Sequence, residues 1–247
     1  MKKIKVGAVS YLNTKPLLFG IENSPDLLQQ IELTKDYPSK IASQLLEGTL
    51  DVGLVPVAII PKMKEYFIVS DFCIGAEGDV ASVCLFSDVE LDRVEKILLD
   101  YQSRTSSALC KVLLKHHWKK NIPTENSENE LSDHFGGAVA GVLIGDRALR
   151  RRQISKYIYD LAGAWKEMSG LPFVFAAWIA NKPLPADFVH MFNEKNGEGV
   201  SNIEAVLKTT SCPYYDLKKY YTKNISYRLN AKKIEGMNLF LDLMQQL

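Results

Sequence analysis

The chain has 247 residues, of which 47% are hydrophobic and 24% are charged. This composition is typical of a globular protein with one large domain or two modest lobes. The 30 basic and 29 acidic residues leave a net charge of +1, so no strong field draws the chain to nucleic acid or to a membrane surface. No apolar run approaches the ~20 residues of a membrane span, and the N-terminal segment lacks the apolar region of a signal peptide. We therefore expect a soluble, cytoplasmic protein with neither nucleic acid nor membrane as a partner.

The first part of the chain alternates predicted strands and helices. Strands are predicted over residues 4–9, 30–35 and 50–58, because their apolar residues form continuous or alternating runs. A helix beginning at Pro16 and a helix over residues 38–48 lie between them. The order strand, helix, strand, helix, strand predicts right-handed crossovers and a parallel sheet.

Two apolar strands then follow each other without a helix between them. They are predicted over residues 67–74 and 80–86, and we expect them to carry the chain towards a second lobe. Next come a strand over residues 96–100, a polar turn over 101–107 and an amphipathic helix over 108–118. This second unit repeats the layout of the opening unit.

The remaining elements are less regular. A weak strand flanked by loops is predicted within residues 121–134, and a buried strand over 137–144. The very apolar run 172–180 is predicted to return the chain to the first lobe, and everything from residue 185 onward looks helical.

The pattern as a whole indicates an α/β protein with two lobes and a ligand cleft between them. We assign residues 1–86 and 180–247 to lobe 1 and residues 87–179 to lobe 2. Each lobe is predicted to contain a mainly parallel sheet flanked by helices.

The turn after the first strand is the first candidate for a binding site. Residues 10–15 are rich in hydroxyl and amide groups, with Thr14 as a candidate N-cap and Pro16 in the first helical turn. Such a turn lies at the carboxyl end of a strand, where α/β sheets bind ligands, and backbone N–H groups at a helix start favour an anion. An ordinary capped junction between a strand and a helix explains the same residues equally well.

The side chains at the strand ends are mostly neutral hydrogen-bond donors. Such a set binds carboxylates well and transfers protons poorly, so it indicates orientation and charge stabilisation rather than nucleophilic attack. Asp146 could bind a ligand hydroxyl or cap the helix that follows it, and the cap is the simpler interpretation. The donors are Ser10, Asn13, Ser82, Ser103, Thr105 and Ser106.

Familiar catalytic and metal-binding motifs are absent from the sequence. There is no G-x-S-x-G elbow, no H-E-x-x-H, no Walker loop and no G-x-G-x-x-G fingerprint. The four cysteines form no C-x-x-C pair and no metal-ligand spacing with the four histidines. We therefore expect neither a metal nor a cofactor.

Several of these segments together resemble a known family. The chain is similar to the menaquinone-biosynthesis family with a type II periplasmic-binding-protein-like fold, and within it to the chorismate dehydratases of the futalosine route. The resemblance spans about residues 3–245, and the opening sequence Ser-Tyr-Leu-Asn-Thr-Lys-Pro-Leu is its most specific part. The matching segments are residues 9–17, 51–56, 80–83, 103–106, 144–148, 160–165 and 171–178.

The resemblance implies a reaction and a set of site residues. Chorismate would lose water to give 3-[(1-carboxyvinyl)oxy]benzoate, without a cofactor, in a protein that is a monomer or a homodimer. Asn13 and Ser82 would be catalytic. The substrate-binding residues would be Ser10, Tyr11, Ser103, Arg104, Thr105, Ser106 and Asp146.

Alternatives remain for the proton acceptor and for the function. The substrate's own enolpyruvyl carboxylate, held by Asn13 and Ser82, could take the proton, or Asp146 could act as a general base. The same scaffold could also be a non-catalytic binding protein for a small carboxylate. A third alternative is the sister enzyme of the pathway, which makes dihydroxynaphthoate and has a different opening turn.

Overall fold

The computed structural model describes residues 3–127, 131 and 135–247. Strands and helices alternate through most of this part of the chain. Within it the strands are β1 (Ile4–Val9), β2 (Ile31–Asp36), β3 (Val52–Pro56), β4 (Phe67–Ala76), β5 (Val83–Ser87), β6 (Lys96–Leu99), β7 (Thr124–Asn126), β8 (Val139–Ile144), β9 (Tyr157–Asp160), β10 (Phe173–Ala180) and β11 (Ser226–Arg228).

Helices flank the strands. In the same described residues they are α1 (Lys15–Glu22), α2 (Pro25–Gln30), α3 (Pro38–Leu46), α4 (Arg104–His116), α5 (Gly145–Arg151), α6 (Leu161–Ser169), α7 (Ala186–Ser201), α8 (Ile203–Lys208), α9 (Leu217–Lys219) and α10 (Ala231–Gln245). Short 3₁₀ turns cover Leu12–Thr14, Val57–Lys62 and Leu91–Arg93, and a π turn covers Tyr220–Asn224.

The strands form two sheets, and each sheet is mixed. The first sheet has the order β11-β4-β10-β3-β1-β2, and the second has the order β7-β6-β8-β5-β9. In the first, β1 pairs in parallel with β2 and β3, whereas β10 pairs antiparallel with both β3 and β4. In the second, β6 pairs in parallel with β7 and β8, whereas β5 pairs antiparallel with β8 and β9. The α/β fold with helix-flanked sheets is confirmed, with more antiparallel pairing than the sequence predicts.

The antiparallel strands have a topological cause. The chain reaches β5 directly after β4 of the first sheet, and it reaches β10 after β9 and α6 of the second. A strand that arrives from the other sheet starts at the edge where the parallel strands end. It must therefore run against them. β5 and β10 are thus the two crossing strands of the fold.

The most apolar predicted strands are confirmed as the centre of the first sheet. Every residue of β3 and of β10 is buried, as expected for strands covered on both faces. Trp165 of α6 and Phe240 of α10 pack edge-on against Phe173 of β10. α10 packs on both β10 and α4, which ties helices of the two sheets together.

Helices α1 and α7 approach each other closely. A Cβ atom added to Gly20 would collide with the carbonyl oxygen of Lys195, and one added to Gly199 would collide with the carbonyl oxygen of Pro16. The two glycines therefore allow backbone-to-backbone contact between α1 and α7. This contact fixes the helix that follows the opening turn.

Three predicted elements need correction. Residues 80–82 are not part of a strand, because β5 begins at Val83. The predicted polar turn over 101–107 contains the first turn of α4, because the Ser103 side chain caps that helix. The C-terminal part is not helical throughout, since β11 pairs with β4 and forms the edge of the first sheet.

The weak strand predicted within residues 121–134 corresponds to β7. Residues 128–130 and 132–134 of that prediction lie outside the described part of the chain. The lobe boundaries at residues 86 and 180 stay a prediction. We propose moving them to the segments before β5 and before β10, because β5 belongs to the second sheet and β10 to the first.

Candidate active site

A small cavity lies between the two sheets, at the ends of their strands. The carboxyl ends of β1, β3 and β8 reach it, and so do the first residue of the crossing strand β5 and the third and fourth residues of the crossing strand β10. The cavity has a volume of about 50 Å³, which is room for one or two water molecules. Small-molecule sites usually measure roughly 300–1,000 Å³, so a ligand of that class enters only if the sheets move apart. The lining residues are Val9, Tyr11, Asn13, Thr14, Pro38, Pro56, Ile74, Val80, Ser82, Val83, Ser103, Ser106, Ile144, Gly145, Phe175 and Ala176.

The opening turn brings Asn13 to this cavity. Asn13 lies in the 3₁₀ turn before α1, and its backbone carbonyl accepts a hydrogen bond of 3.0 Å from the Tyr227 hydroxyl of β11. The fully buried Thr14 donates its hydroxyl to Asn13 Oδ1 at 3.2 Å. Thr14 therefore does not cap α1 with its side chain, contrary to prediction. It orients the Asn13 amide instead.

Ser10 and Tyr11, the other two predicted site residues of the opening turn, differ in where they lie. Ser10 is exposed, its backbone N–H donates to the Asp36 carbonyl at 3.1 Å, and it is not among the cavity-lining residues. Tyr11 does line the cavity, and its hydroxyl donates to Gln102 Oε1 across the two sheets. The Tyr11 ring lies against Gly145, whose φ of +61° is left-handed.

Tyr11 belongs to a buried network at the junction of the sheets. Arg147 Nη2 donates to Asp100 Oδ2 at 2.7 Å and to Gln102 Oε1 at 2.8 Å. Burial raises the pKa of the Asp100 carboxyl, and the Arg147 guanidinium opposes that effect. Burial likewise raises the pKa of the Tyr11 hydroxyl. The hydroxyl therefore stays protonated and donates.

Ser82 is the second predicted catalytic residue that reaches the cavity. It is fully buried, and its Oγ accepts a hydrogen bond of 2.7 Å from the Tyr220 hydroxyl. Its backbone carbonyl accepts from the N–H of Gly145 at 2.8 Å. The preceding residue, Ala81, has a φ of +64°, a conformation that costs a non-glycine residue free energy and often marks a functional site.

Asp160 holds the segment before Ser82. Its carboxylate accepts from the backbone N–H of Val80 at 3.1 Å and of Ala81 at 2.8 Å. It also caps α6 by accepting from the N–H groups of Ala162 and Gly163. Burial raises the pKa of this carboxyl, and the Val80 N–H opposes that effect. The Asp160 carboxylate thus fixes both residues 80–81, which precede Ser82, and the start of α6.

The start of α4 brings two of its four predicted residues to the cavity. Ser103 Oγ accepts from the Ser106 N–H at 3.1 Å and donates to Ser106 Oγ at 2.8 Å, and both residues line the cavity. Arg104 instead donates to Ser43 Oγ of α3 at 2.9 Å. Thr105 Oγ1 accepts from the backbone N–H of Ala58 at 3.2 Å. Arg104 and Thr105 therefore connect α4 to the first sheet and lie outside the cavity lining.

Asp146 also bridges the two sheets. Its Oδ1 accepts from the Leu12 N–H at 3.0 Å, and its side chain does not cap α5. Burial raises the pKa of the Asp146 carboxyl, opposed by the Leu12 hydrogen bond and by the charge of Lys15. Asp146 is not among the cavity-lining residues.

Comparison with known families shows to which family this chain belongs. A family model described as menaquinone biosynthesis matches residues 4–246. The chain belongs to this menaquinone-biosynthesis family. Two of its relatives are named chorismate dehydratase. The one from Thermus thermophilus is 25% identical over 268 residues, covering 99% of this chain and 96% of the relative. The one from Campylobacter jejuni is 26% identical over 243 residues, covering 95% of each.

Solved structures show the fold of this family member. A protein from Archaeoglobus fulgidus superimposes with a TM-score of 0.76 at 13% identity, covering 99% of this chain and 97% of that one. A Candida albicans gene product, described as exhibiting the generic periplasmic-binding-protein fold, superimposes with a TM-score of 0.66 at 13% identity. It is matched over 100% of this chain and 91% of its own. The periplasmic-binding-protein-like fold is therefore confirmed.

The polar lining of the cavity in this menaquinone-biosynthesis protein consists of hydroxyl and amide groups. Tyr11 is the one titratable side chain among the described lining residues. Over the described ranges, no cluster of three or more histidine, cysteine or acidic residues could hold a metal ion. No helix in the same ranges is both long enough and apolar enough to cross a lipid bilayer. Such a lining suits hydrogen bonding to an anionic ligand.

Five residues of the site were not found from the sequence. Tyr220 and Tyr227 lie in a segment predicted to be helical. Gln102 lies in the predicted polar turn 101–107 and Arg147 in the matching segment 144–148, but neither was predicted to be a site residue. Asp160 did have a local sequence signal, because an aspartate directly before an apolar helical run is typical of an N-cap.

Proposed function

We propose that this protein is a chorismate dehydratase, a carbon–oxygen lyase that converts chorismate to 3-[(1-carboxyvinyl)oxy]benzoate on the futalosine route to menaquinone. One observation carries the proposal. Asn13 and Ser82 stand at the two positions that the family resemblance marks as catalytic, and both line the same cavity. The names of the two relatives support the substrate.

The reaction is an elimination across C3 and C4 of the substrate ring. The hydrogen at C3 is acidic because the C1=C2 double bond conjugates it with the ring carboxylate. Removal of that proton gives a dienolate, and loss of the C4 hydroxyl, with the proton, completes one water molecule and leaves an aromatic ring. Neutral donors around the ring carboxylate stabilise the dienolate as its charge develops.

The proton acceptor is proposed to be the enolpyruvyl carboxylate of the substrate. The lining offers no carboxylate, histidine or lysine among its described residues, which supports a base supplied by the substrate. Asp146 was the alternative base. Its Oδ1 is engaged by the Leu12 N–H and it lies outside the lining, so it suits bridging the sheets better. Asn13 and Ser82 would hold the enolpyruvyl carboxylate near C3.

The reaction also requires that water be excluded from the substrate, and closure of the two sheets would achieve this. The cavity of about 50 Å³ is smaller than a ring with two carboxylates requires. We propose that the sheets open to admit chorismate and close around it, which excludes water and competing reactions. The segments that precede the crossing strands β5 and β10 would act as the hinge.

The direct test is to mix the purified protein with chorismate and follow ultraviolet absorbance and mass. A product lighter by one water, with a benzoate spectrum, is the expected result. Asn13→Ala and Ser82→Ala should each lower kcat by about 100-fold. Ser87→Ala is the matched control, because Ser87 is a buried serine of β5 that accepts from the Val89 N–H and does not line the cavity. Near-native rates in both Asn13→Ala and Ser82→Ala would refute the site.

The same experiment separates the alternative functions. Chorismate that raises the melting temperature but is recovered unchanged would indicate a non-catalytic binder. Neither binding nor turnover would leave the dihydroxynaphthoate-forming sister reaction as the next candidate. As a biosynthetic enzyme of this kind, the protein is inferred to act in the cytoplasm, as a monomer or a homodimer, without a cofactor.

A further inference from the structure

The hydroxyl of Ser82 is useful to a bound carboxylate only if its hydrogen points into the cavity. A serine hydroxyl has one hydrogen to donate and two lone pairs that accept. The Tyr220 hydroxyl donates to Ser82 Oγ at 2.7 Å, and both residues are fully buried. In the described ranges, no acceptor for the hydrogen of Ser82 itself is found. The contact with Tyr220 therefore leaves that hydrogen free for a ligand.

The direction of this hydrogen bond follows from the chemistry of the pair. A phenol is a stronger donor than an aliphatic hydroxyl, because its oxygen carries the negative charge more easily. Burial raises the pKa of the Tyr220 hydroxyl well above its usual range, so it keeps its proton. Tyr220 is thus the donor and Ser82 the acceptor.

The backbone around Ser82 is held by three hydrogen bonds. Asp160 holds the N–H groups of Val80 and Ala81, and Ala81 stays in its left-handed conformation. The N–H of Gly145 holds the Ser82 carbonyl at 2.8 Å. Because the main chain is held, two rotations remain: the one about Cα–Cβ, which places Oγ, and the one about Cβ–Oγ, which places its hydrogen. The Tyr220 contact restricts both rotations, because it holds Oγ and occupies one of its lone pairs.

The turn that contains Tyr220 is itself anchored to Asp79, in the segment that precedes Ser82. It begins a π turn, in which the Ile225 N–H donates to the Tyr220 carbonyl at 2.9 Å. The last residue of that turn, Asn224, donates its side-chain amide to the Asp79 carbonyl at 2.9 Å. π turns are rare and recur at functional sites, where they aim a side chain that a regular helix would turn away.

We propose that Tyr220 is a positioning residue that directs the hydroxyl hydrogen of Ser82 into the cavity, towards a carboxylate oxygen of the bound substrate. Tyr220 is not among the cavity-lining residues, so its effect passes through Ser82. The proposal rests on the proposed dehydratase function and adds to it the device that orients one of its two catalytic donors.

A double-mutant cycle tests this dependence. Tyr220→Phe, Ser82→Ala and the double variant are compared with the wild type for kcat and KM on chorismate, and for melting temperature. Tyr220→Phe should lower kcat by about tenfold, the loss expected for one misdirected hydrogen bond. In the Ser82→Ala background, Tyr220→Phe should cause no further loss of kcat. A merely structural tyrosine would lower the rate by the same factor in both backgrounds.

Tyr221→Phe is the matched control, since it removes a neighbouring hydroxyl from the same π turn. The Tyr221 hydroxyl is buried and has no hydrogen-bond partner in the described structure, so this variant should keep the wild-type kcat. An equal loss in Tyr221→Phe, an unchanged rate in Tyr220→Phe, or independent effects in the cycle would each overturn the inference. Wild-type protein that neither converts nor binds chorismate would overturn the proposed function itself, and is told apart by the unmutated sample.

Discussion

Replacing Gly145 by alanine should weaken both the fold and the junction between the sheets. The left-handed φ of +61° costs an alanine about 1–2 kcal/mol. The added Cβ would lie 2.8 Å from Tyr11 Cδ2 and 3.0 Å from Cε2. The hydrogen bond to Gln102 holds the Tyr11 ring in place, so it cannot give way freely, and such overpacking costs about 1–3 kcal/mol. We expect the free energy of unfolding to fall by about 2–5 kcal/mol in total.

Urea unfolding followed by tryptophan fluorescence measures this loss, with Gly48→Ala as the matched control. Gly48 has a φ of +74°, and nothing lies within 4 Å of an added Cβ. The control should therefore lose only about 1–2 kcal/mol, the part that comes from φ. The difference between the two variants reports the collision with Tyr11. Equal losses would show that the Tyr11 ring moves aside easily and would refute the rigid contact.

Three further changes test other parts of the structure. Asp146→Asn should gain stability relative to the wild type as pH rises from about 4 to 7. The raised pKa means that wild-type stability is full below the unfolded value of 3.8 and is lost as the folded carboxyl ionises. Urea unfolding at both pH values checks this, and a pH-independent difference would contradict it. Lys233→Ala should cost about 3 kcal/mol or more. The fully buried ammonium donates three hydrogen bonds of 2.6 Å to the β11 segment, and an unchanged urea midpoint would show that they contribute nothing. Tyr11→Phe should cost about 1 kcal/mol by removing the hydroxyl that reaches Gln102. Wild-type stability in that variant would mean that water replaces the contact without loss.

Local sequence pattern predicts much of this fold because burial sets the pattern. β3 and β10 are continuous apolar runs, and both are buried on two faces. The start of β5 was misplaced for a reason that no local pattern contains. Ala81 adopts a left-handed conformation because Asp160, 79 positions away, holds its N–H. β11 was missed because a three-residue edge strand is too short to leave a periodic signal.

The types of residue that form the candidate site were easier to predict than the directions in which their side chains point. Ser103 and Ser106 reach the cavity together because residues three apart share one face of a helix. Arg104 and Thr105 lie between them in the sequence and therefore project from other faces. A polar turn and a helix start have the same composition. Only in the helix start do successive side chains project from different faces at fixed angles.

The position of β10 has a consequence for how the chain acquires its structure during synthesis. β10 separates β3 from β4 in the first sheet, although it is made after every strand of the second sheet. Until Ala180 has emerged from the ribosome, β4 has no partner that links it to β3. The first sheet therefore cannot be completed until the whole second sheet has been synthesised, although its first strands are made earlier. Because the pairings of β10 with β3 and β4 are distant in sequence, we expect completion of the first sheet to be the slow step of folding.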